Sequence, residues 1–331
     1  MNRNAADKGN VMKAVVLHEF GNENQLVAER IPVPEIGDDD VLVKVEYAGV
    51  GRWDIFEREG GYTEMVGVKA EFPYVLGSEG SGTVVATGKN VKAFKIGDIV
   101  MGARFLNPKG GFYAEFAAID QNFVTPLPKS LSIQEAGVIA GVGLTALRGL
   151  EDALHLKRNE SIAILGASGG VGHIAAQLAK QMGARVFAVA SGEDGVKMVK
   201  ELGIENVVDG HRADLLAEAK RVEPAGFDAA LLTAGGATAQ SIVQTIKPDG
   251  RIAYPNGVYP LPSADEAVKL IGYNGEPDAD ILGRLHNYLQ TGNVRAHIDQ
   301  TFSLDDAQSA HLALTKHFVG KLALKIGSTI E

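Results

Sequence analysis

From residue 12 to about 126 the chain is a series of short hydrophobic runs broken by turn residues: KAVVLHEF, VLVKVEYAGV, GSGTVVATG, DIVMGA and YAEFAAI. Runs of this length, punctuated by Gly, Asp and Asn, predict β-strands. The pattern changes at LPKSLSIQEAGVIAGVGLTALRGL, where Ser132 and Glu135 have the spacing of a capping box and a helix should start. Beyond it, apolar runs alternate with stretches of 3.6-residue period: SIAILG, VGHIAAQLAKQMG, RVFAVA, a helix ending near LGI, NVVDG, a further helix, FDAALLTA and GRIAYPN. Such alternation predicts an α/β fold with a parallel sheet covered by helices. From Asp278 the chain reads as a helix (DADILGRLHNYLQTG), a strand near HIDQTF, a helix (LDDAQSAHLALTKH) and a last apolar strand, KLALKI. That strand must pair with one elsewhere in the chain.

At 331 residues the chain exceeds what one core usually serves, so two domains with a cleft are expected. Hydrophobic residues at 45% and charged residues at 22% fit an ordinary globular enzyme rather than a disordered or fibrous chain. A net charge of −9 with no compensating Lys/Arg block argues against a nucleic-acid partner. The start, MNRNAADKGNV, is polar, and no apolar run of about 18 residues follows. The expectation is a cytoplasmic protein with no membrane partner and with residues 1–11 as a loose tail. Cysteine is absent, which removes disulfides, thiolate chemistry and Cys-bound zinc. The eight histidines show no metal-ligand spacing, and none is assigned to catalysis.

The most informative stretch is SIAILGASGGVGHIAAQLAKQMGARVFAVA, which spells strand, glycine turn, helix and strand. Against the G-x-G-x-x-G template of dinucleotide-binding folds, the aligned positions are Ala167, Gly169 and Gly172. Gly169 would let the backbone approach a pyrophosphate, Gly172 would let the helix pack on the strand, and the first helical amides would face the anion. Gly141, Gly143 and Ala146 share the spacing but follow no strand, which makes them helix-packing residues. Gly166, Ser168 and Gly170 also read G-x-S-x-G, the nucleophile elbow of serine hydrolases, with Asp228 and His286 or His297 as partners. Spacing alone does not separate the two readings.

Strand RVFAVA should end beside the adenosine ribose, where NAD enzymes usually place an Asp or Glu. Here Ala190 and Ser191 occupy that tip. Small uncharged residues leave room for a 2′-phosphate that Lys197 can balance, so NADPH is the expected cofactor; Glu193 and Asp194 are the residues that would serve NAD instead.

The order of these motifs resembles the medium-chain dehydrogenase/reductase superfamily over nearly the whole chain, and most of all its quinone oxidoreductase branch, which includes zeta-crystallin. The resemblance is carried by LGSEGSGTVVATGKNVKAFKIGDIVMG, GGFYAEF, LPKSLSIQEAGVIAGVGLTALRGL and GASGGVGHIAAQLAKQMGA. It implies a GroES-like, mostly β catalytic domain of residues 12–127 and 294–331, into which a doubly wound Rossmann NADP(H)-binding domain, residues 128–293, is inserted. It also implies that the cleft is the active site. Zinc-dependent relatives carry a Cys near the position of Gly51 and a His in a G-H-E triplet where this chain has Gly77, Ser78 and Glu79. The resemblance therefore implies a zinc-independent enzyme. Without a metal to polarise an alcohol, the easier reaction is hydride delivery to an electron-poor quinone or enone.

In enoyl reductases similar to this family, a Tyr eleven residues after the Asn of an N-x-x-D element donates the proton; Gly51, Asp54 and Tyr62 hold those positions. Tyr62 is thus the candidate proton donor. Phe56 stands where related quinone reductases have a Tyr that touches the cofactor, and Arg52, beside Trp53, is the candidate cation of the pocket wall. The same carry-over assigns Ser168, Gly169, Gly170 and Val171, after Ala167, to the pyrophosphate turn. It assigns Tyr254, Asn256 and Gly257 to a loop bordering the nicotinamide and Thr145 to its carboxamide. Family members commonly dimerise edge to edge, here through AVKLIGYN, so a homodimer is expected, with residues 271–273 closing over the cofactor.

The expected activity is NADPH-dependent reduction of a small quinone or similar conjugated carbonyl. Reduction of an enone, alkenal or enoyl thioester is the alternative within this chemistry. Ester hydrolysis through Ser168, and cofactor binding without turnover, are the alternatives outside it.

Overall fold

A computed structural model describes residues 11–67 and 71–327, and of Tyr62 and Val66 the backbone. The tail expected over residues 1–11 lies outside them, except that Val11 already opens the first strand. The elements are β1 (Val11–Leu17), β2 (Val27–Pro32), β3 (Asp40–Val50), α1 (Arg52–Arg58), α2 (Gly61–Val66), β4 (Tyr74–Val75), β5 (Glu79–Thr87), β6 (Ile99–Ala103), β7 (Phe116–Asp120) and β8 (Val124–Pro126). They continue with α3 (Ile133–Leu147), β9 (Ser161–Leu165), α4 (Gly170–Gln181), β10 (Arg185–Ala190), α5 (Gly192–Glu201), β11 (Asn206–Asp209), α6 (Leu215–Val222) and β12 (Phe227–Leu232). The last are α7 (Ala237–Val243), β13 (Ile246–Pro255), β14 (Lys269–Tyr273), α8 (Ala279–Leu289), β15 (Ile298–Ser303), α9 (Ala307–Ala313) and β16 (Lys321–Lys325). Among the described residues no helix is long and apolar enough to cross a membrane.

Two compact units divide the chain. The first takes the chain to Gly141, Pro277–His286 and the chain from Ile298; the second takes Val142–Glu276 and Asn287–His297. The division falls inside α3 and inside α8, whereas the sequence pattern changes at 127/128 and 293/294.

The first unit is β-rich, with a three-stranded sheet in the order β2-β1-β4 and a seven-stranded sheet in which six strands run β15-β16-β3-β5-β6-β8 and the seventh, β7, pairs with β3 off that path. β3 organises the larger sheet. One partner is β5; β7 and β16 pair with different stretches of its length. The last strand thus finds its antiparallel partner in the first unit, with Leu322 opposite Val50 and Lys321 at the level of Gly51. The core beneath holds Val15, Leu17, Val43, Leu76, Phe112 and Tyr113, all essentially without solvent contact. α3 starts on the predicted capping box: the Ser132 amide donates to Glu135 Oε2 (3.0 Å) and the Glu135 amide to Ser132 Oγ (3.2 Å).

The second unit is a doubly wound parallel sheet in the order β11-β10-β9-β12-β13-β14. Every residue of β9 is buried, as a central parallel strand requires. Chain order runs one way from β9 to β11 and the other way from β12 to β14. The carboxyl end of β9 is therefore the switch point at which such sheets bind ligands. Phe187 and Phe227 stack at 5.4 Å in the core on one face.

Tyr273, on edge strand β14, buries its hydroxyl against Gly149 in a π-helical turn that continues α3, and among the described residues that hydroxyl has no hydrogen-bond partner. Burial pushes its ionisation upward. A buried hydroxyl without a partner costs about 1–3 kcal/mol. Tyr273→Phe is therefore expected to leave stability unchanged or raise it by about 1 kcal/mol. Urea unfolding checks this, and a loss of similar size would reveal a partner.

Candidate active site

The turn after β9 is built around glycine. Gly166 has φ 79°, and a Cβ on it would lie 2.2 Å from Thr233 Oγ1, so no other residue fits. The positive-φ turn thus falls one residue before the first template position, and Ala167 is simply buried. The Gly166 and Ala167 amides both donate to Val189 O (3.0 and 2.9 Å), which pins the loop to the end of β10. A Cβ on Gly172 would sit 2.1 Å from Gly166 O, so α4 packs directly on the loop backbone. Gly169 is different. It caps α4 without a side-chain capping bond, and a Cβ there would meet only Gly166 O, at 3.3 Å. The Gly169 amide itself donates to Gly166 O (2.9 Å), so it is the Gly170 and Val171 amides, at the positive end of a twelve-residue helix, that fit a pyrophosphate.

The same geometry overturns the hydrolase reading. Ser168 is buried, and its Oγ accepts the Ser191 amide (3.0 Å) instead of standing exposed on a strained elbow. Asp228, at the start of β12, accepts from the amide and hydroxyl of Ser161 (2.7 and 2.9 Å) and pairs with Lys247. Ser161 opens β9 and Ser168 follows its end, so a strand about 16 Å long separates the acid from the serine. His286 is bonded to Pro126 O (3.0 Å), and His297 offers its backbone amide to His173 Nε2 (3.2 Å). No triad forms.

At the β10 tip, Ser191 Oγ is bonded to His211 Nε2 (3.0 Å), and Arg212 pairs with Glu193 and, at 3.8 Å, with Asp209. Lys197 is exposed on the outer face of α5 and pairs with Glu201 at 3.9 Å. The residues the fold brings beside Ser191 are thus His211 and Arg212, which residue spacing along the chain did not single out. The legible signal was DGHRAD directly after β11, because parallel neighbours end side by side.

At the far end of β13, Tyr254 and Asn256 flank Gly272 on β14: a Cβ on Gly272 would lie 3.1 Å from the Tyr254 hydroxyl and 2.8 Å from Asn256 Oδ1. Asn256 Nδ2 donates to Asn274 Oδ1 (2.7 Å), and Thr145 Oγ1 faces Gly275. Thr145, Tyr254 and Asn256 are therefore gathered along residues 272–275, and Gly257, at φ 100°, has nothing within 4 Å of where a Cβ would stand.

In the first unit, α1 is inverted relative to an ordinary amphipathic helix. Asp54, Glu57 and Arg58 are buried, while Arg52 and Phe56 are exposed. Trp53 is half-buried between Phe56 (centroids 5.6 Å) and Phe105 (4.9 Å), which forms an aromatic surface. Phe56 lies over Gly61, where a Cβ would meet its ring at 2.2 Å. The next residue, Tyr62, is placed on α2 by its backbone alone; its side chain lies outside what is described.

Beneath α1 lies a buried charge cluster assembled by strand register. β5 places Glu79 at the level of Gly49, where a Cβ would be 2.3 Å from Glu79 Oε1. β16 delivers Lys321, whose Nζ is 2.7 Å from Glu79 Oε1; Glu79 Oε2 accepts the Gly141 amide (2.7 Å). Asp54 Oδ2 accepts the Gly51 amide (2.8 Å), and Oδ1 accepts Ser78 Oγ (3.3 Å). Burial, helped by Glu79, lifts the Asp54 pKa to about 6 against the pull of Lys321 and of the Gly51 and Ser78 backbone. Burial and the nearby Asp54 lift Glu57 to about 7, although the Tyr74 hydroxyl is bonded to it. Arg58 Nη1 donates to His311 Nδ1 (3.1 Å); burial and that guanidinium push His311 down to about 3, so it stays neutral.

Residues 37–129 match the family described as the alcohol dehydrogenase GroES-like domain, and residues 170–262 the family described as zinc-binding dehydrogenase. The chain is 30% identical over 283 residues to alcohol dehydrogenase 1 of Emericella nidulans, covering 76% of this chain and 79% of that one. It is 27% identical over 317 residues to the quinone oxidoreductase of Mus musculus, covering 91% and 93%. Its fold is similar to the structure of the quinone oxidoreductase from Coxiella burnetii, with a TM-score of 0.82 at 27% identity over 96% of this chain and all of that one. The zinc in the second description finds no fitting donor set at the Gly51 and Ser78 positions. Neither residue there carries a zinc-ligand side chain, and the Lys321 ammonium lies against Glu79 and 3.3 Å from where a Gly51 Cβ would be.

Proposed function

Because this chain belongs to the medium-chain dehydrogenase/reductase superfamily, in a quinone oxidoreductase-like branch, we propose that it reduces a small quinone or similar conjugated carbonyl with NADPH. The chain is an oxidoreductase of a family that binds a nicotinamide cofactor. The observation that carries the reading is the turn from 166 to 172, whose open face at Gly169 lies at the switch point of the sheet.

The cofactor supplies a hydride when bound. Its pyrophosphate would lie on the backbone of Ser168, Gly169, Gly170 and Val171, after Ala167, and its nicotinamide end near Thr145, Tyr254, Asn256 and Gly257. NADPH is favoured over NADH because Ala190 and Ser191 put no acid at the β10 tip and the acids close by are engaged. Asp209 accepts the His211 amide (3.0 Å), and Glu193 pairs with Arg212. A 2′-phosphate there meets Ser191, His211 and Arg212, with Lys197 further along α5. In the first unit, Trp53, Phe56 and Phe105 offer a flat conjugated acceptor an aromatic surface, and the exposed Arg52 precedes Trp53 on α1. A homodimer would form through β14, which among the described residues pairs on one side only.

The test is NADPH oxidation by the purified protein against a panel of quinones and conjugated enones, with NADH in parallel. Saturable acceleration by quinones and at least about a tenfold preference for NADPH, or roughly 1.4 kcal/mol, are expected. Cofactor binding with no acceptor able to accelerate oxidation would contradict the proposal.

A further inference from the structure

His173 lies inside α4 without solvent contact, and the function proposed above gives its ring no part. Its Nε2 receives the backbone amide of His297 (3.2 Å). An amide only donates, so Nε2 is the acceptor nitrogen and the ring proton sits on Nδ1. Nδ1 lies 2.8 Å from Gly169 O, which it therefore meets as a donor. That carbonyl also accepts the His173 amide (3.1 Å), so one residue holds it twice. One turn further on, Gln177 also ties α4 to the segment before β15. Its Nε2 donates to His173 O and to Arg295 O (both 2.9 Å), and its Oε1 accepts the Arg295 amide (2.9 Å). Fastening α4 to residues 295–297 thus accounts for the Gln177 side chain. It accounts for one nitrogen of His173 and leaves the other, the one turned to the glycine turn.

We propose that His173 is a positioning residue for the cofactor's diphosphate, acting through the peptide that joins Gly169 to Gly170. The inference rests on the function proposed above. In a planar trans peptide the carbonyl and the amide point in opposite directions. Holding Gly169 O toward the His173 ring therefore aims the Gly170 N–H the other way, out of the start of α4, where the diphosphate is to be received. This peptide is also the one in the turn with least restraint, because no Cβ limits rotation about Gly169 ψ or Gly170 φ. The helix ladder holds it through the His173 amide, at a helix end, where such bonds fray. The ring adds a second bond from a side chain that His297 clamps in turn. A flipped peptide would offer the anion a carbonyl oxygen in place of a donor. The ring thus keeps the turn in its binding form before the nucleotide arrives.

Because the diphosphate is common to both nicotinamide dinucleotides, loss of the bond to Gly169 O should weaken NADPH and NADH by the same factor. Asparagine separates the two bonds of the ring. Its Nδ2 takes the place of Nδ1, and it has no atom at the place of Nε2. His173→Asn therefore keeps the bond to Gly169 O and leaves the His297 amide without this acceptor, whereas His173→Leu removes both.

The test is calorimetric titration of the full chain and its variants with NADPH and with NADH, paired with thermal unfolding. His173→Leu is expected to bind both nucleotides about five- to tenfold more weakly, the worth of one oriented donor. His173→Asn should bind like the wild type yet melt below it, since the His297 amide loses an acceptor. Gln177→Leu should likewise melt below the wild type and bind like it. NMR of the ring nitrogens in the wild type should find the His173 proton on Nδ1. Wild-type binding by His173→Leu, or equal weakening in His173→Asn and His173→Leu, would overturn the proposal. So would a loss confined to one of the two nucleotides, an equal loss in Gln177→Leu, or a ring proton on Nε2. Should His173→Leu fail to fold, His173→Met takes its place, and the site of the ring proton is read on the wild type in any case. A wild type that binds neither nucleotide overturns the functional reading itself, a result distinct from a wild type that binds and a His173→Leu that binds as well.

Discussion

Gly169→Ala is expected to melt close to the wild type yet bind NADPH at least about tenfold more weakly, a loss of roughly 1.4 kcal/mol, whereas Gly172→Ala should lose both stability and binding. The difference follows from what each new methyl group meets. At Gly169 it meets only Gly166 O, at 3.3 Å, and the backbone there is extended (φ −90°, ψ 179°), which alanine adopts without strain. The cost of alanine as a helix cap is about 1 kcal/mol or less. The methyl group nevertheless stands on the face where an anion must approach the amides of α4. At Gly172 the methyl group would lie 2.1 Å from Gly166 O, 2.6 Å from Gly166 C and 2.9 Å from the Ala167 Cα, all backbone. The helix must move off the loop, which costs about 1–3 kcal/mol and misplaces the donors. Thermal unfolding paired with nucleotide titration reads both effects. Equal binding by Gly169→Ala and wild type would remove this face from the site.

Lys321→Met is expected to destabilise the protein by about 3–5 kcal/mol, because it leaves the Glu79 carboxylate buried without its cation. The pair is 4% and 5% exposed, and the remaining donor to Glu79 is the Gly141 amide. The double variant Lys321→Met, Glu79→Gln removes the stranded charge and should recover much of the loss. Urea unfolding of the two variants checks the stability claim. A single-variant loss below about 1 kcal/mol would mean that the pair is solvated.

The doubly wound sheet was legible in the sequence because each strand and helix of the second unit carries its own period and β9 to β10 is a local unit. The capping box at Ser132 and Glu135 was legible for the same reason. α1 was not, since Asp54, Glu57 and Arg58 face inward while Phe56 faces outward, which reverses the periodicity by which helices are recognised. The cluster around Glu79 was hidden for a different reason. Gly49, Gly51, Asp54, Glu79 and Lys321 are joined by the pairing of β3 with β5 and β16, and register across hundreds of residues leaves no local mark. The G-x-S-x-G spelling at Ser168 showed the opposite failure. Local spacing allowed a nucleophile, and only the bond from the Ser191 amide shows that its oxygen is engaged.

Calorimetric titration of the wild-type protein with NADPH and with NADH tests the central claim most directly, namely that the backbone from 166 to 172 receives the diphosphate of a nicotinamide dinucleotide. One saturable site per chain, filled more tightly by NADPH and weakened by Gly169→Ala, is the predicted result. No heat of binding from either nucleotide at millimolar concentration would contradict it.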